Sequence, residues 1–202
     1  MANGMILWRN RADAAALSGG SWDATQGLAK LQSRDYSDVA RSADLTLAAT
    51  QWTADLGDIV RVRALVLGYT TLTTDASIRI RISDASDFST VTYDSGWEAV
   101  YPAVFPSETL EWEDSNWWTG RHAEEDLRGY PRNYEHILGD AVLGRYLWIE
   151  LDDQTNPDGY IDLGRLYVAG GWQFANNFSW GAEIGWEDPS VVEQTLGGAE
   201  LV

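Results

Sequence analysis

The side chains of this sequence that could do chemistry are mostly carboxylates, and their spacing fits no catalytic motif. The 202 residues include 31 Asp and Glu but only two histidines, His122 and His136, and no cysteine. His122 precedes Glu124 and Glu125 in an acidic run, a spacing that matches neither the HExxH zinc motif nor a facial triad. The sequence also has no nucleophile elbow, phosphate-binding glycine loop or dinucleotide fingerprint. We therefore predict that the protein is not an enzyme and has no cofactor.

An acidic segment in the second half of the chain superficially resembles a calcium-binding loop. When Asp158 and the glycine after it are aligned with the fifth and sixth positions of an EF-hand, Gln154 falls at the first position and Arg165 at the twelfth. Those positions require carboxylates, so the EF-hand interpretation fails. A different calcium site built from Asp152, Asp153 and Asp158 is a weaker candidate, because turn chemistry alone explains the Asn-Pro-Asp-Gly sequence. We predict no metal site.

Aromatic side chains are the second group that could bind a partner, since the chain has 11 tryptophans, 9 tyrosines and 4 phenylalanines. Trp112, Trp117 and Trp118 lie in a proline-containing, acidic segment, 98–144, that has no regular periodicity. Long irregular segments are usually functional or form contacts. Indole rings present a large flat surface to a partner, including the apolar face of a sugar. We predict that these three tryptophans belong to a recognition loop.

A further aromatic group follows Gly170 and Gly171, where the composition changes and the apolar periodicity is lost. About thirty residues of this composition cannot bury a core of their own. Exposed aromatic side chains on such a segment mark a contact surface. We predict that residues 171–202 form an extended arm that binds neighbouring subunits. The candidate interface residues are Trp172, Phe174, Phe178, Trp180 and Trp186.

The elements that position these side chains are strands, and the clearest pair lies in Ser77–Trp97. Ile78, Ile80 and Ile82 alternate with polar residues, which is the period of a strand with one buried face. An acidic turn and a second strand-like run follow, so we predict an antiparallel pair. The polar, solvent-facing side of the first strand is expected to consist of Ser77, Arg79, Arg81 and Ser83.

Further runs rich in β-branched or large apolar residues predict more strands. They are Leu45–Gly57, Asp58–Tyr69, Arg145–Asp152 and Tyr160–Ala169. The predicted fold class is all-β, an antiparallel β-sandwich of the jelly-roll type with a long loop insertion and an extended C-terminal arm. The predicted organisation is an N-terminal segment at 1–20, the sandwich at 21–170 with its insertion at 98–144, and the arm at 171–202.

Charge limits the possible partners. With 14 Lys and Arg against 31 Asp and Glu, the formal net charge is −17, which repels phosphate backbones and anionic membrane surfaces. We therefore expect no nucleic-acid partner. The start of the sequence predicts neither a signal peptide nor a membrane helix, so we expect no membrane insertion. The lack of cysteine suits folding in a reducing cytoplasm.

Two segments together, IRIRISDASDFSTVTYDSGW and GRYLWIELDD followed by DGYIDLGRLYVAG, resemble the discoidin-like, galactose-binding-like jelly rolls. The resemblance covers about Leu17 to Gly170. It implies the same sandwich that the strand periodicity predicts. The long acidic and aromatic insertion has no counterpart in the sugar-binding members, which have short loops there, so their ligand specificity is not carried over.

A narrower resemblance concerns ALSGGSWDATQGLAKLQSRDYSDVARSADLTLAATQWTADLG and GYIDLGRLYVAGGWQFANNFSWGAEIGWEDPS. These segments are similar to virion proteins of tailed phages and prophages. The resemblance implies a non-enzymatic structural subunit of the phage tail, near the tip or baseplate, made in the bacterial cytoplasm and bound to other virion proteins and to copies of itself. Two alternatives remain open: a carbohydrate-binding module that attaches the particle to host glycans, and a capsid decoration protein.

Overall fold

The computed structural model describes residues 3–106, 108–130, 132–177, 193–194 and 200–201. In this part of the chain the regular structure is β, apart from two short 3-10 helices at Ala12–Ala14 and Leu28–Gln32. The strands in chain order are β1 Met5–Ile6, β2 Ala16–Ser18, β3 Ala40–Arg41, β4 Gln51–Thr70, β5 Ser77–Ser83, β6 Val91–Asp94, β7 Glu98–Ala99, β8 Tyr134–Asp152, β9 Asp162–Ala169, β10 Trp172–Gln173, β11 Glu193–Gln194 and β12 Glu200–Leu201.

Residues 6–172 form one compact unit, an antiparallel sandwich built around the two long strands β4 and β8. In one layer the first half of β4 lies between β2 and the second half of β8. On the other side of β8 comes β5, which pairs in turn with both β6 and β7. In the other layer the second half of β4 lies between β9 and the first half of β8, with β3 on the far side of β9. Both long strands therefore contribute to both layers, as strands do when they change sheets at a bend.

The predicted alternation in β5 is confirmed. Ile78, Ile80 and Ile82 are at most 1% exposed and face the interior. In the antiparallel register Ile80 pairs with Ile149 of β8, which is also fully buried. Burying an aliphatic side chain of this size contributes about 1.5–3 kcal/mol.

One member of the predicted polar face lies inside. Ser83 is fully buried at the end of β5. Its hydroxyl donates to the Thr90 carbonyl at 2.6 Å and accepts from the Ala85 backbone N–H at 3.0 Å. The serine therefore closes the turn that follows the strand, and its buried hydroxyl has both hydrogen bonds it needs.

Side chains from both layers meet in one apolar core. Trp52 is its largest fully buried member and contacts the ring of Trp22 edge-on at 5.7 Å between centroids. Aromatic pairs prefer this arrangement over face-to-face contact. The aliphatic core residues of the long strands and of β9 include Leu65, Leu67, Leu147, Ile149, Leu151, Leu163, Leu166 and Val168.

The runs Leu45–Gly57 and Asp58–Tyr69, predicted as separate strands, fall in one strand, β4, except that residues 45–50 lie in turns and bends before it begins at Gln51. The ladder to β8 is shifted between Asp55 and Val60. Gly57 has φ +84° at this point, a conformation that L residues rarely adopt. The glycine therefore marks a bulge that bends a continuous strand, and not the end of a strand that the sequence predicted.

The strand predicted to begin at Arg145 begins at Tyr134 instead. The predicted insertion at 98–144 therefore has strand structure at both of its ends. Between β7 and β8, the described residues of 100–133 contain no regular strand or helix, and this segment is called the insertion from here on.

The described residues at the two termini form a second unit. Within it the Phe174 backbone N–H donates to the Gly4 carbonyl at 3.0 Å, and the Asn3 side chain donates to the Ala175 carbonyl at 2.8 Å. Strands β11 and β12 pair with each other. Across all described residues, no helix has the length and apolar character that crossing a bilayer would need.

Candidate functional site

Three connections cross between the layers at the same end of the sandwich. Residues 71–76 join β4 to β5, and residues 153–161 join β8 to β9. The insertion begins after Ala99, which pairs with the first residue of β5. It ends beside the last residue of β4, because the Thr70 N–H donates to the Arg132 carbonyl at 2.7 Å. The strand order therefore gathers the irregular backbone of these three segments in one place, the common arrangement of binding sites on rigid scaffolds.

The two shorter connections are fixed by one buried carboxylate. Asp153 is 2% exposed, and its oxygens accept from the Thr73 backbone N–H at 3.0 Å and from the Thr73 hydroxyl. It also accepts from the Asn156 side chain at 2.9 Å, and Asn156 donates in turn to the Thr71 carbonyl. Because the buried side chains of Asp153 and Asn156 are hydrogen-bonded to the β4–β5 connection, the two connections hold a defined shape.

These contacts separate the three weak calcium candidates. The oxygens of Asp153 already accept hydrogen bonds from Thr73 and Asn156. Asp152 accepts from the Gln154 side chain at 3.0 Å. Asp158 is exposed at the tip of the connection. Nowhere in the described part of the chain do three or more acidic or histidine side chains lie close enough together to hold a metal ion.

The insertion is held to the shorter connections by arginine and glutamate side chains. Arg132 donates to the Leu72 carbonyl at 3.1 Å and to the Glu124 carboxylate at 3.0 Å. The other oxygen of Glu124 accepts from the Thr74 backbone N–H at 2.8 Å. Arg121 donates to the Thr74 carbonyl at 3.3 Å. Charged groups of the insertion thus satisfy backbone groups of the β4–β5 connection.

A groove of about 430 Å³, called the first groove here, opens where the three segments meet. Arg128 lies on its wall with an exposed side chain that takes part in none of the ion pairs or side-chain hydrogen bonds among the described residues. The lining combines hydroxyl, carboxylate, amide and guanidinium groups. Its residues are Thr71, Thr73, Thr74, Asp75, Glu124, Arg128, Arg132, Thr155, Asn156, Pro157 and Asp158.

Two further grooves continue along the insertion. The second, of about 300 Å³, shares Thr74, Asp75 and Glu124 with the first groove and is otherwise lined by residues 115–116, 119, 121–123 and 125. The third, of about 720 Å³, shares residues 115–116, 122–123 and 125 with the second. Its remaining lining is Phe105, Leu110, Glu113, Asp114 and Asp126.

The predicted recognition tryptophans are brought together on the insertion. Trp117 contacts both Trp112 and Trp118 edge-on, with 4.7 Å between ring centroids in each pair. Trp112 is 69% exposed and Trp118 79% exposed. The three rings, called the tryptophan cluster here, therefore pack on each other while two of them present a large apolar surface to solvent.

A polar cluster joins the two ends of the insertion. Glu98 accepts from Tyr134 at 2.7 Å and lies 2.6 Å from Nδ1 of His136. Nε2 of the same imidazole is 2.8 Å from the Tyr93 hydroxyl. Burial, reinforced by the Glu98 carboxylate, raises the pKa of both Tyr93 and Tyr134 above the ordinary tyrosine value. Both phenols are therefore neutral hydrogen-bonding groups at physiological pH, and this arrangement clamps the base of the insertion.

Of the predicted arm residues, Trp172 is 59% exposed and Phe174 is partly buried. Phe178, Trp180 and Trp186 lie outside the described residues.

Sequence reasoning missed the polar residues of the first groove, above all Arg128 and Arg132. The available signal was the arginine content of the insertion, since Arg121, Arg128 and Arg132 fall within twelve residues of an otherwise acidic chain.

No protein-family model and no curated protein matches the sequence. Solved structures do match. The lectin domain of Lectinolysin complexed with Lewis B antigen has a TM-score of 0.51 at 14% identity, covering 84% of this chain and 100% of that one. A histidine mutant of the lectin binding domain of Lectinolysin complexed with Lewis b has a TM-score of 0.51 at 13% identity, covering 80% and 95%.

This chain spans only 28% of the length of a third structure, SpGH29, with 80% of this chain covered, a TM-score of 0.49 and 10% identity. At such identities the likeness concerns the fold alone. The strand topology described above and the two Lectinolysin structures confirm the predicted discoidin-like antiparallel β-sandwich.

Proposed function

We propose that this chain is a glycan-binding module and that the first groove holds the sugar. The observation that carries the proposal is the mixed donor and acceptor lining of this groove, at the end of the sandwich where the three connections meet. A sugar offers several hydroxyls, each of which donates one hydrogen bond and accepts others. A groove that combines guanidinium donors with carboxylate and hydroxyl acceptors matches that pattern.

The side chains that are free to act on a ligand differ from those that support the groove. Asp153, Asn156 and Glu124 are bonded within the protein and hold its walls. Arg128 has no ion pair among the described residues, and Asp158 is exposed beside it in the lining. In our proposal Arg128 donates to sugar oxygens and Asp158 accepts from sugar hydroxyls. A prearranged wall lowers the entropy lost on binding.

The fold comparison supports the same proposal. This chain covers the whole of the lectin domain of Lectinolysin, whose structure contains Lewis B antigen, a glycan. The low identity gives no basis for transferring that ligand, and the lining argues for glycan binding independently of it. The groove residues do not resemble a catalytic constellation, so we propose binding without catalysis.

A glycan array with the full chain tests this proposal. We expect specific binding to at least one glycan and at least a tenfold weaker signal for Arg128→Gln, since a charge-assisted hydrogen bond to a ligand contributes about 1.5–3 kcal/mol. Arg34→Gln is the matched control, because Arg34 is an exposed arginine outside the groove. Equal signals from the wild type and Arg128→Gln, or no bound glycan at all, would contradict the proposal.

We further propose that the module works in the tail of a phage particle, where it attaches the particle to the host surface. Support for this comes from the sequence resemblance to virion proteins and from the exposed tryptophan cluster, a surface suited to protein contacts. Immunogold labelling of purified particles with an antibody against the chain would locate it. Labelling of the tail is expected, and particles without label would contradict a place in the virion.

A further inference from the structure

We infer that the bound glycan is a chain of several sugar units without acidic groups, and that it lies along all three grooves. This inference rests on the proposed function and adds the length and charge class of the ligand. A site for a single terminal sugar would need the first groove alone. The structure instead provides a row of three adjoining grooves along the insertion.

Continuity of the row follows from shared walls. Thr74, Asp75 and Glu124 line both the first groove and the second. Asn116 and His122 line both the second groove and the third. Their volumes of about 430, 300 and 720 Å³ are of the size at which proteins hold small-molecule groups, roughly 300–1,000 Å³. Each groove can therefore hold part of a longer ligand.

The lining changes its charge along the row. Arg128 and Arg132 line the first groove together with the carboxylates of Asp75, Glu124 and Asp158. The third groove has four carboxylates and no arginine or lysine, and those carboxylates are Glu113, Asp114, Glu125 and Asp126. A polyanionic glycan that filled the row would meet carboxylates in every groove, on a protein of net charge −17. Neutral hydroxyls can pair with both kinds of group.

The third groove also offers the apolar contact that a sugar ring uses. Phe105 and Leu110 lie in its lining, and the ring of Phe105 contacts the His122 ring edge-on at 4.9 Å between centroids. Sugar rings have an apolar C–H face as well as their hydroxyl edge, and aromatic side chains bind such faces. Both kinds of contact are thus available at the end of the row farthest from Arg128.

Two variants separate the ends of the row. Arg128 lines only the first groove of the three, and Glu113 lines only the third. Both side chains are exposed. Neither takes part in a side-chain hydrogen bond or ion pair among the described residues. Substitution by glutamine should therefore leave the fold intact in both cases, which the melting temperature verifies.

The experiment measures affinity by isothermal titration for neutral malto-, cello-, xylo-, manno- and galacto-oligosaccharides of one, two, four and six units, with oligogalacturonides as the charged comparison. We expect at least one neutral series to gain tenfold or more in affinity from two units to six, and the oligogalacturonides to bind more weakly. We expect Arg128→Gln to weaken binding at every length, and Glu113→Gln to weaken it about threefold or more for six units only.

The outcomes separate this inference from the proposed function. Array binding confined to a terminal mono- or disaccharide, with no gain from longer chains, would overturn the extended chain and leave glycan binding intact. Tighter binding of oligogalacturonides than of every neutral series would overturn the charge class. No binding to the array or to any oligosaccharide would overturn the proposed function itself.

Discussion

The sandwich and the insertion are held together by different forces. In the sandwich, the core strands bury rows of aliphatic side chains such as Ile78, Ile80 and Ile82, and stability comes from apolar burial. In the insertion most side chains are exposed. There the structure depends on turns and on a few charged side chains, Arg121, Glu124 and Arg132.

Because of this difference, substitutions that affect folding and substitutions that affect recognition are expected in different regions of the chain. A sheet whose interior is apolar tolerates few changes inside it, because cavities and buried charges are strongly destabilising. A segment fixed mainly by polar contacts at its base can change its exposed residues with little effect on the core. The candidate site lies where the two regions meet, so the rigid region positions residues that the adaptable region supplies.

The largest expected effect comes from a charge placed in the core. Ile80→Asp puts a carboxylate at a position that is 1% exposed, so it should destabilise the domain by more than about 4 kcal/mol and unfold it. Ile137→Asp is the matched control, because Ile137 is 51% exposed on β8. Circular dichroism during heating measures both. A normally folded Ile80→Asp variant would refute the assigned interior face of β5.

The second effect concerns the junction of the two regions. Asp153→Ala removes a buried carboxylate and leaves the Thr73 N–H and the Asn156 amide without their acceptor. We expect a loss of about 2–4 kcal/mol in unfolding free energy. Asp152→Ala removes the neighbouring, less buried carboxylate and should change it by less than about 1 kcal/mol. Urea unfolding would measure both, and equal effects would contradict the tethering role of Asp153.

A third change should loosen the insertion and spare the sandwich. Arg132→Ala removes the bonds to the Leu72 carbonyl and to Glu124, a loss of about 1–2 kcal/mol that is confined to the insertion. Hydrogen exchange should become faster in 100–133 and remain slow in β5. Arg128→Ala should leave both exchange rates unchanged. Uniformly faster exchange in the Arg132→Ala variant would mean that the two regions unfold together.

A smaller effect depends on pH and belongs to the outer face of the sandwich. Two hydrogen bonds from Arg79 lower the pKa of Asp94 to about 2, from an ordinary value of 3.8. The pair therefore stabilises the fold fully above about pH 4, and this contribution is lost as the pH falls toward about 2.

Because the Asp94 side chain is 36% exposed, the pair contributes less than about 1 kcal/mol. Asp94→Asn should lower the melting temperature slightly at pH 6 and leave it unchanged at pH 2. Asp84→Asn, which removes an exposed carboxylate with no ion pair among the described residues, serves as control. A destabilisation of Asp94→Asn that persisted at pH 2 would contradict the ionic origin.

The smallest effect on stability is expected in the tryptophan cluster. Trp118 is 79% exposed, so Trp118→Ala should change the unfolding free energy by less than about 1 kcal/mol. Trp52→Ala makes the same substitution at a fully buried position and should cost about 3–5 kcal/mol. Thermal melting would compare the two variants. A strongly destabilised Trp118→Ala variant would place that ring in a packed core and end its role as a contact surface.

The sequence predicts the sandwich better than the site, for physical reasons. Alternation is a local signal, and it placed Ile78, Ile80 and Ile82 correctly in the core. A strand was predicted to end at Gly57, because a local pattern does not distinguish the end of a strand from a bulge inside a longer one. Ser83 was placed outside because its burial depends on the turn that follows it.

The first groove could not be predicted in the same way. Its walls combine residues 85 positions apart, such as Thr71 and Asn156. No local sequence pattern predicts that two such distant residues come together. The unusual tryptophan content of this segment could be seen in the sequence, but the packing of the three rings on each other could not. Arg128 and Arg132 are the same residue type, and only the folded insertion shows that Arg132 is bonded to Leu72 and Glu124 while Arg128 faces the groove.

The clamp formed by Glu98, Tyr134 and His136 has an evolutionary consequence. Because it fixes the two ends of the insertion side by side, the length of the segment between them is nearly free to vary. Loop-closure entropy rises slowly with length, by about 0.6 kcal/mol for each doubling. Insertions and deletions between Val100 and Asn133 could therefore lengthen or shorten the row of grooves while the β-sandwich keeps its sequence. The recognition surface could change in this way through segment exchange at a single site.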